Sequence, residues 1–168
     1  LVAQLVAGHM PLVDIAALFG AAAGFTVLAM LTVQQAIFGR SAAAIAAAGE
    51  TPDAQALRQV RTGLDSVHLG LDVAWDVLIG TSVLLFGLAM LRQPSFGRLL
   101  GGLGVTLGAL LLGFNLWYFP TPPADAGAID WGPFVALWLL AVFVQQLRAL
   151  GRARARLAES GTARGVTD

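Results

Sequence analysis

An all-α integral membrane helical bundle is the fold class this sequence predicts, and three observations predict it. The composition is apolar: 57% of the 168 residues are hydrophobic and 12% are charged, with a mean hydropathy of +0.76. A soluble domain of this length carries about twice that charged fraction, and it still exposes roughly a third of the surface its unfolded chain would show. Four runs meet the ~20 mostly apolar residues needed to cross ~30 Å of hydrocarbon. None of the four alternates with period two. In lipid only helices or a closed barrel satisfy the backbone, so helices remain.

The opening "LVAQLVAGHM" is too short to span and reads as the tail of an earlier helix or an arm on the surface. The first span is 12–38. Beyond it, Thr51, Pro52 and Asp53 form a helix start: a capping hydroxyl, a proline in the first turn, and an acid at the positive end of the dipole. Ala54, Leu57, Val60, Leu64, Val67 and Leu71 then recur at helical spacing. No proline follows before Pro94, so one long amphipathic helix starts near Thr51, outside the membrane, and becomes the second span, 69–91. Gly63 or Gly70 could bend it. The tight turn "RQPSFGR" leads to the third span, 96–119. There Gly97/Gly101 and Gly104/Gly108, each spaced by four, favour close helix packing or self-association. The proline-rich "FPTPPADAGAIDWGP" predicts an extended, stiff connection, flanked by Trp117, Tyr118 and Trp131 at interfacial positions. The fourth span is 132–150, and residues 151–168 read as a basic, then polar, tail. Residues 1–150 thus form a single bundle.

Arginine placement orients the bundle. Arg92 and Arg98 flank the turn between the second and third spans, and Arg148, Arg152, Arg154, Arg156 and Arg164 follow the fourth. With four spans these lie on one side, which the positive-inside rule makes cytoplasmic. Arg40, Arg58 and Arg61 lie on the other side, offset by Glu50, Asp53 and Asp65. The expectation is a multi-pass protein of the bacterial inner membrane with a cytoplasmic C-terminus. All basic residues are arginine, which fits a GC-rich bacterial genome. The net charge is zero, so no field draws in nucleic acid. With no cysteine there is no disulfide, thiolate metal site or Cys nucleophile.

A polar stripe interrupts this apolar pattern. Arg61, Asp65, His68, Asp72 and Asp76 step by four, three, four and four, and share one helix face. Arg58 extends the stripe outward, so that it covers ~27 Å of helix. A charged Asp inside a span costs a few kcal/mol, so Asp72 and Asp76 must face protein, water or each other. Three readings compete. The stripe is structural, its acids bonding to His68, Asn115, the indoles of Trp75 and Trp138, or a partner's arginine. Or Asp65, His68, Asp72, Asp76 and Asn115 bind a cation, proton or small ligand. Or His68, Asp72 and Asp76 hold a metal in an intramembrane enzyme, although zinc prefers more nitrogen or sulfur. Only His9 offers a second histidine.

No catalytic residue is assigned, and an enzyme is the lesser expectation. There is no G-x-S-x-G elbow and no phosphate-binding loop, and no motif indicates a cofactor. Thr26, Thr32, Gln34, Gln35, Thr81 and Ser82 are suited to hydrogen bonds between helices. With "GLDVAWDVLIG" and "GRLLGGLGVTLGALLLGFNLWYFPTPPADAGAIDWGP" in view, residues 1–150 resemble uncharacterised bacterial multi-pass membrane proteins of the domain-of-unknown-function type. The resemblance implies about six spans, two of them upstream, with "LVAQLVAGHM" ending the second, and it implies no chemistry. The expected partners are the lipid bilayer and other membrane-protein subunits, in which case the chain is an accessory or structural subunit of a larger complex.

Overall fold

The computed structural model describes residues 11–35, 37, 41–93, 96–118 and 131–164. Among them are five helices and no strand: α1 (Pro11–Gln35), α2 (Ala42–Ala48), α3 (Pro52–Leu91), α4 (Gly97–Tyr118) and α5 (Gly132–Arg164). All but α2 are long and apolar enough to cross a membrane. The chain is an all-α helical bundle with the make-up of a membrane protein. Large apolar side chains point outward along its flanks: Phe25 is 75% exposed and Leu99 78%. In water such a surface would aggregate; against acyl chains it costs nothing.

The start of α3 follows from its sequence. Thr51 is extended (φ −100°, ψ 161°), and its Oγ1 accepts a hydrogen bond from the Ala54 amide at 3.3 Å. From Pro52 the helix runs unbroken for 40 residues, through Gly63 and Gly70. That is ~60 Å of helix, about twice the hydrocarbon thickness. The alanine run before it forms α2, which has no apolar stripe to announce it. Gly49, at φ +61°, ends α2 in a conformation that side chains resist.

Between α3 and α4 the chain reverses tightly. The Gln93 amide donates to the Met90 carbonyl at 2.9 Å, and buried Phe96 donates from its amide to the Gln93 carbonyl at 3.2 Å. The returning helix then lies antiparallel on α3 along a seam of glycines. A Cβ at Gly87 would stand 2.5 Å from the Val105 amide nitrogen, and one at Gly108 would stand 2.6 Å from that of Leu84. Those distances leave no room for any side chain, so the two backbones touch. The packing expected of the third span is thus realised within the chain, by Gly101, Gly104 and Gly108. Gly97 has a different task, starting α4 at φ +76°.

The other two long helices dock on this pair. Ser82 is buried, and its hydroxyl donates to the Ala16 carbonyl of α1 at 2.8 Å, beside Gly20. Thr26, Thr32 and Thr81 instead turn back to carbonyls of their own helices. Trp138 of α5 lies over Gly104, where a Cβ would meet its ring at 2.5 Å, and its indole N–H donates to the Leu100 carbonyl at 2.9 Å. The core gathers Val83, Met90, Leu111, Val135 and Trp138, with Val13 and Ala23 of α1.

α5 runs on as helix past the predicted span. The helix continues to Arg164 where a tail from 151 is predicted. Arginine, alanine, leucine and glutamate are good helix formers, and no proline stops them. Residues 1–10, with His9, and the connection 119–130 lie outside the described residues.

Candidate functional site

The contacts between α3 and α4 form a regular antiparallel ladder. Leu91 meets Gly101, Gly87 meets Gly104, Leu84 meets Gly108, and Gly80 meets Leu111. One more step along the same ladder brings Asp76 to Asn115. The Asn115 side-chain amide donates to Asp76 Oδ2 at 2.9 Å and to the Leu111 carbonyl at 2.9 Å. The glycine seam therefore delivers an acid of one helix to an amide of the other at the end of their contact. α4 closes with Tyr118, whereas α3 continues outward through Asp72, His68 and Asp65.

Along that continuation the stripe residues meet different surroundings. Asp76, Asp72 and His68 are partly buried, and Asp65 is exposed. Asp65 lies 4.0 Å from Arg61 one turn away, and both side chains are substantially solvent-accessible. Such a pair contributes little. Asp72 and Asp76 are both engaged by neighbouring groups. The Nε2 of His68 is buried and has no hydrogen-bond partner among the described residues. The buried indole nitrogen of Trp131 likewise has no partner among the described residues. Trp131 sits at the start of α5, stacked on Phe114 at 5.9 Å between ring centres and tilted against Phe134 at 5.7 Å. Since Phe114 precedes Asn115, both orphaned nitrogens belong to the end of the bundle where Asp76 is held.

Of the five predicted site residues, the structure joins Asp76 and Asn115 directly. It places His68 and Asp72 on the same face of α3, and Asp65 on the exposed part of that helix. The indole of Trp138, offered as a partner for the acids, goes to Leu100 instead. Among the described residues no three of His, Cys, Asp or Glu group closely enough to hold a metal ion. The reason is geometric. His68 and Asp76 stand two turns apart, ~12 Å along a straight helix, so one ion cannot reach both with Asp72. Trp131, read from the sequence as an interfacial aromatic beside the outer loop, sits at this end of the bundle, and its role in packing there is what sequence reasoning missed. Its indole N–H was the available signal, since an aromatic with a donor seeks a partner when buried.

Fold and site together define a class, a helical membrane bundle with ionisable residues carried down one face of its longest helix. No protein-family profile matches the chain, and neither curated proteins nor solved structures provide a match.

Proposed function

We propose that this membrane protein binds a cation or small polar ligand between His68 and Asp72, one turn apart on α3, with the Asp76–Asn115 bond closing the inner end of that face. The observation that carries this reading is His68 Nε2, buried and without a partner among the described residues, one turn from Asp72. Buried polar groups in folded proteins are nearly always hydrogen-bonded, and an orphan beside acids points to a partner from outside the fold. Ionisable residues inside spanning helices are rare, and often mark ion and ligand paths. The arginine distribution supports a cytoplasmic C-terminus in a bacterial inner membrane, which opens this face to the outer side. The resemblance to uncharacterised multi-pass bacterial proteins agrees with that placement.

A second reading, an accessory subunit of a larger membrane complex, is favoured by the Asp76–Asn115 bond itself. A carboxylate held by an amide of the next helix is what a structural clamp requires. Native mass spectrometry of the protein, extracted in mild detergent, separates the two. A lone chain carrying a small mass increment, lost in Asp72→Asn and in His68→Leu, supports the binding site. A chain heavier by whole foreign subunits, with no small increment, overturns it in favour of the accessory role.

A further inference from the structure

Arginines gather at one end of the bundle. Arg92 and Arg98 flank the turn between α3 and α4. Trp131 stacks on Phe114 and Trp138 bonds to Leu100, so α5 runs antiparallel to α4 and brings Arg148 and Arg152 out at that same end. The four side chains are exposed, and among the described residues none of them is ion-paired. Asp14 of α1 is exposed as well and pairs with none of them. Three of these arginines adjoin an exposed leucine in sequence. Leu91 before Arg92 is 42% exposed, Leu99 after Arg98 is 78%, and Leu147 before Arg148 is 51%. Cationic and apolar side chains thus lie together at the rim of the spanning helices.

The arginines also look out in different directions. At 3.6 residues per turn, Arg98 lies about 120° around α4 from Gly104, the residue that Trp138 covers. Arg148 follows buried Gln146 by two positions and so lies nearly across α5 from it.

We propose that this end of the bundle holds an annulus of acidic phospholipids, their phosphates on the arginines and their acyl chains on the leucines beside them. Chemistry and arrangement both select that occupant. A guanidinium pairs with phosphate through two parallel hydrogen bonds, and a phospholipid carries phosphate and acyl chain in one molecule, as this rim requires. A soluble polyanion would answer the arginines and leave the leucines bare. A protein partner would dock on one side and leave the arginines of the other sides unanswered, whereas lipid surrounds the bundle. Acidic lipid is favoured over zwitterionic lipid because basic residues near an anionic bilayer surface are attracted to its net charge. The inference does not depend on the ligand site, which lies on the part of α3 far from this turn.

The test is lipid selectivity in reconstituted vesicles. The full chain is placed in phosphatidylcholine bilayers that contain a trace of spin-labelled phosphatidylglycerol or spin-labelled phosphatidylcholine. The motionally restricted fraction of each label reports its association with the protein surface. Phosphatidylglycerol should associate more strongly, by about twofold at low salt. The preference should vanish in a chain carrying Arg98→Gln, Arg148→Gln and Arg152→Gln, and survive when the same three become lysine. Arg98→Gln and Arg148→Gln singly should each lower it in part, which covers the case of a triple variant that does not fold. Arg58→Gln with Arg61→Gln, at the other end of α3, should leave it intact. Equal association of the two lipids with the unaltered chain overturns the proposal. So does a preference unchanged in the glutamine variants, or one lost on changing Arg58 and Arg61.

Discussion

Asp76 and Ser82 both tie helices together, and their hydrogen bonds should differ in strength. The Ser82 hydroxyl meets a backbone carbonyl of α1 that already has its own helical partner. Neutral bonds of this kind between membrane helices contribute about 0.6 kcal/mol on average. Ser82→Ala should therefore lower stability by about that much. The Asn115 amide donates to a carboxylate that is partly buried and has a further partner, and losing one such charged-group hydrogen bond costs about 1 kcal/mol or somewhat more. Asn115→Leu should be the more damaging substitution when both are followed by thermal unfolding in detergent. A double-mutant cycle with Asp76→Leu should recover part of that loss, because both partners are then gone. Equal, additive effects of the two substitutions would show that the bond does not couple the helices.

At the scale of elements, the α3–α4 hairpin is set by what its glycines permit. Gly87 and Gly108 face backbone atoms that cannot move aside, so even one methyl group must push the helices apart. Gly108→Ala should cost about 1–3 kcal/mol, the usual penalty of overpacking. Gly102 and Gly113 lie on the same helix with open space around them. Alanine there should be neutral or stabilising by up to about 1 kcal/mol, the intrinsic helix preference over glycine. Chemical unfolding followed by tryptophan fluorescence would rank the variants. Destabilisation by Gly102→Ala equal to that by Gly108→Ala would contradict the seam. Six glycines on the third span read alike in sequence, and half of them pack against α3. Spacing names the small residues on a helix but not the direction from which a neighbour comes.

For the whole molecule, the length of α3 has the widest consequence. At ~60 Å it exceeds the ~30 Å of hydrocarbon, so its first turns must project beyond the bilayer. A cysteine replacing Gln55 or Gln59 should react readily with a membrane-impermeant thiol reagent in membrane fragments open on both sides. One replacing Leu103 or Leu110 on α4 should be shielded by lipid. Comparable labelling at all four positions would mean that α3 lies within or along the membrane instead.

The apolar runs, the Thr51 cap and the four-three rhythm of the polar stripe are properties of the chain itself. Local hydrogen bonding and burial in lipid depend on which residues come next to each other in sequence. That is why the spans, the unbroken long helix and the shared face of His68, Asp72 and Asp76 were legible before any coordinates. Composition likewise forbade a soluble fold. The tertiary structure alone decided that Asp76 meets Asn115, that Ser82 rather than its threonine neighbours crosses to α1, and that Trp138 serves Leu100 rather than an acid. It also decided that His68 buries a nitrogen to which no described residue bonds. Each of these depends on the register between helices, set by where glycine lets two backbones touch. Such contacts join residues as many as 66 positions apart, and no local pattern encodes them.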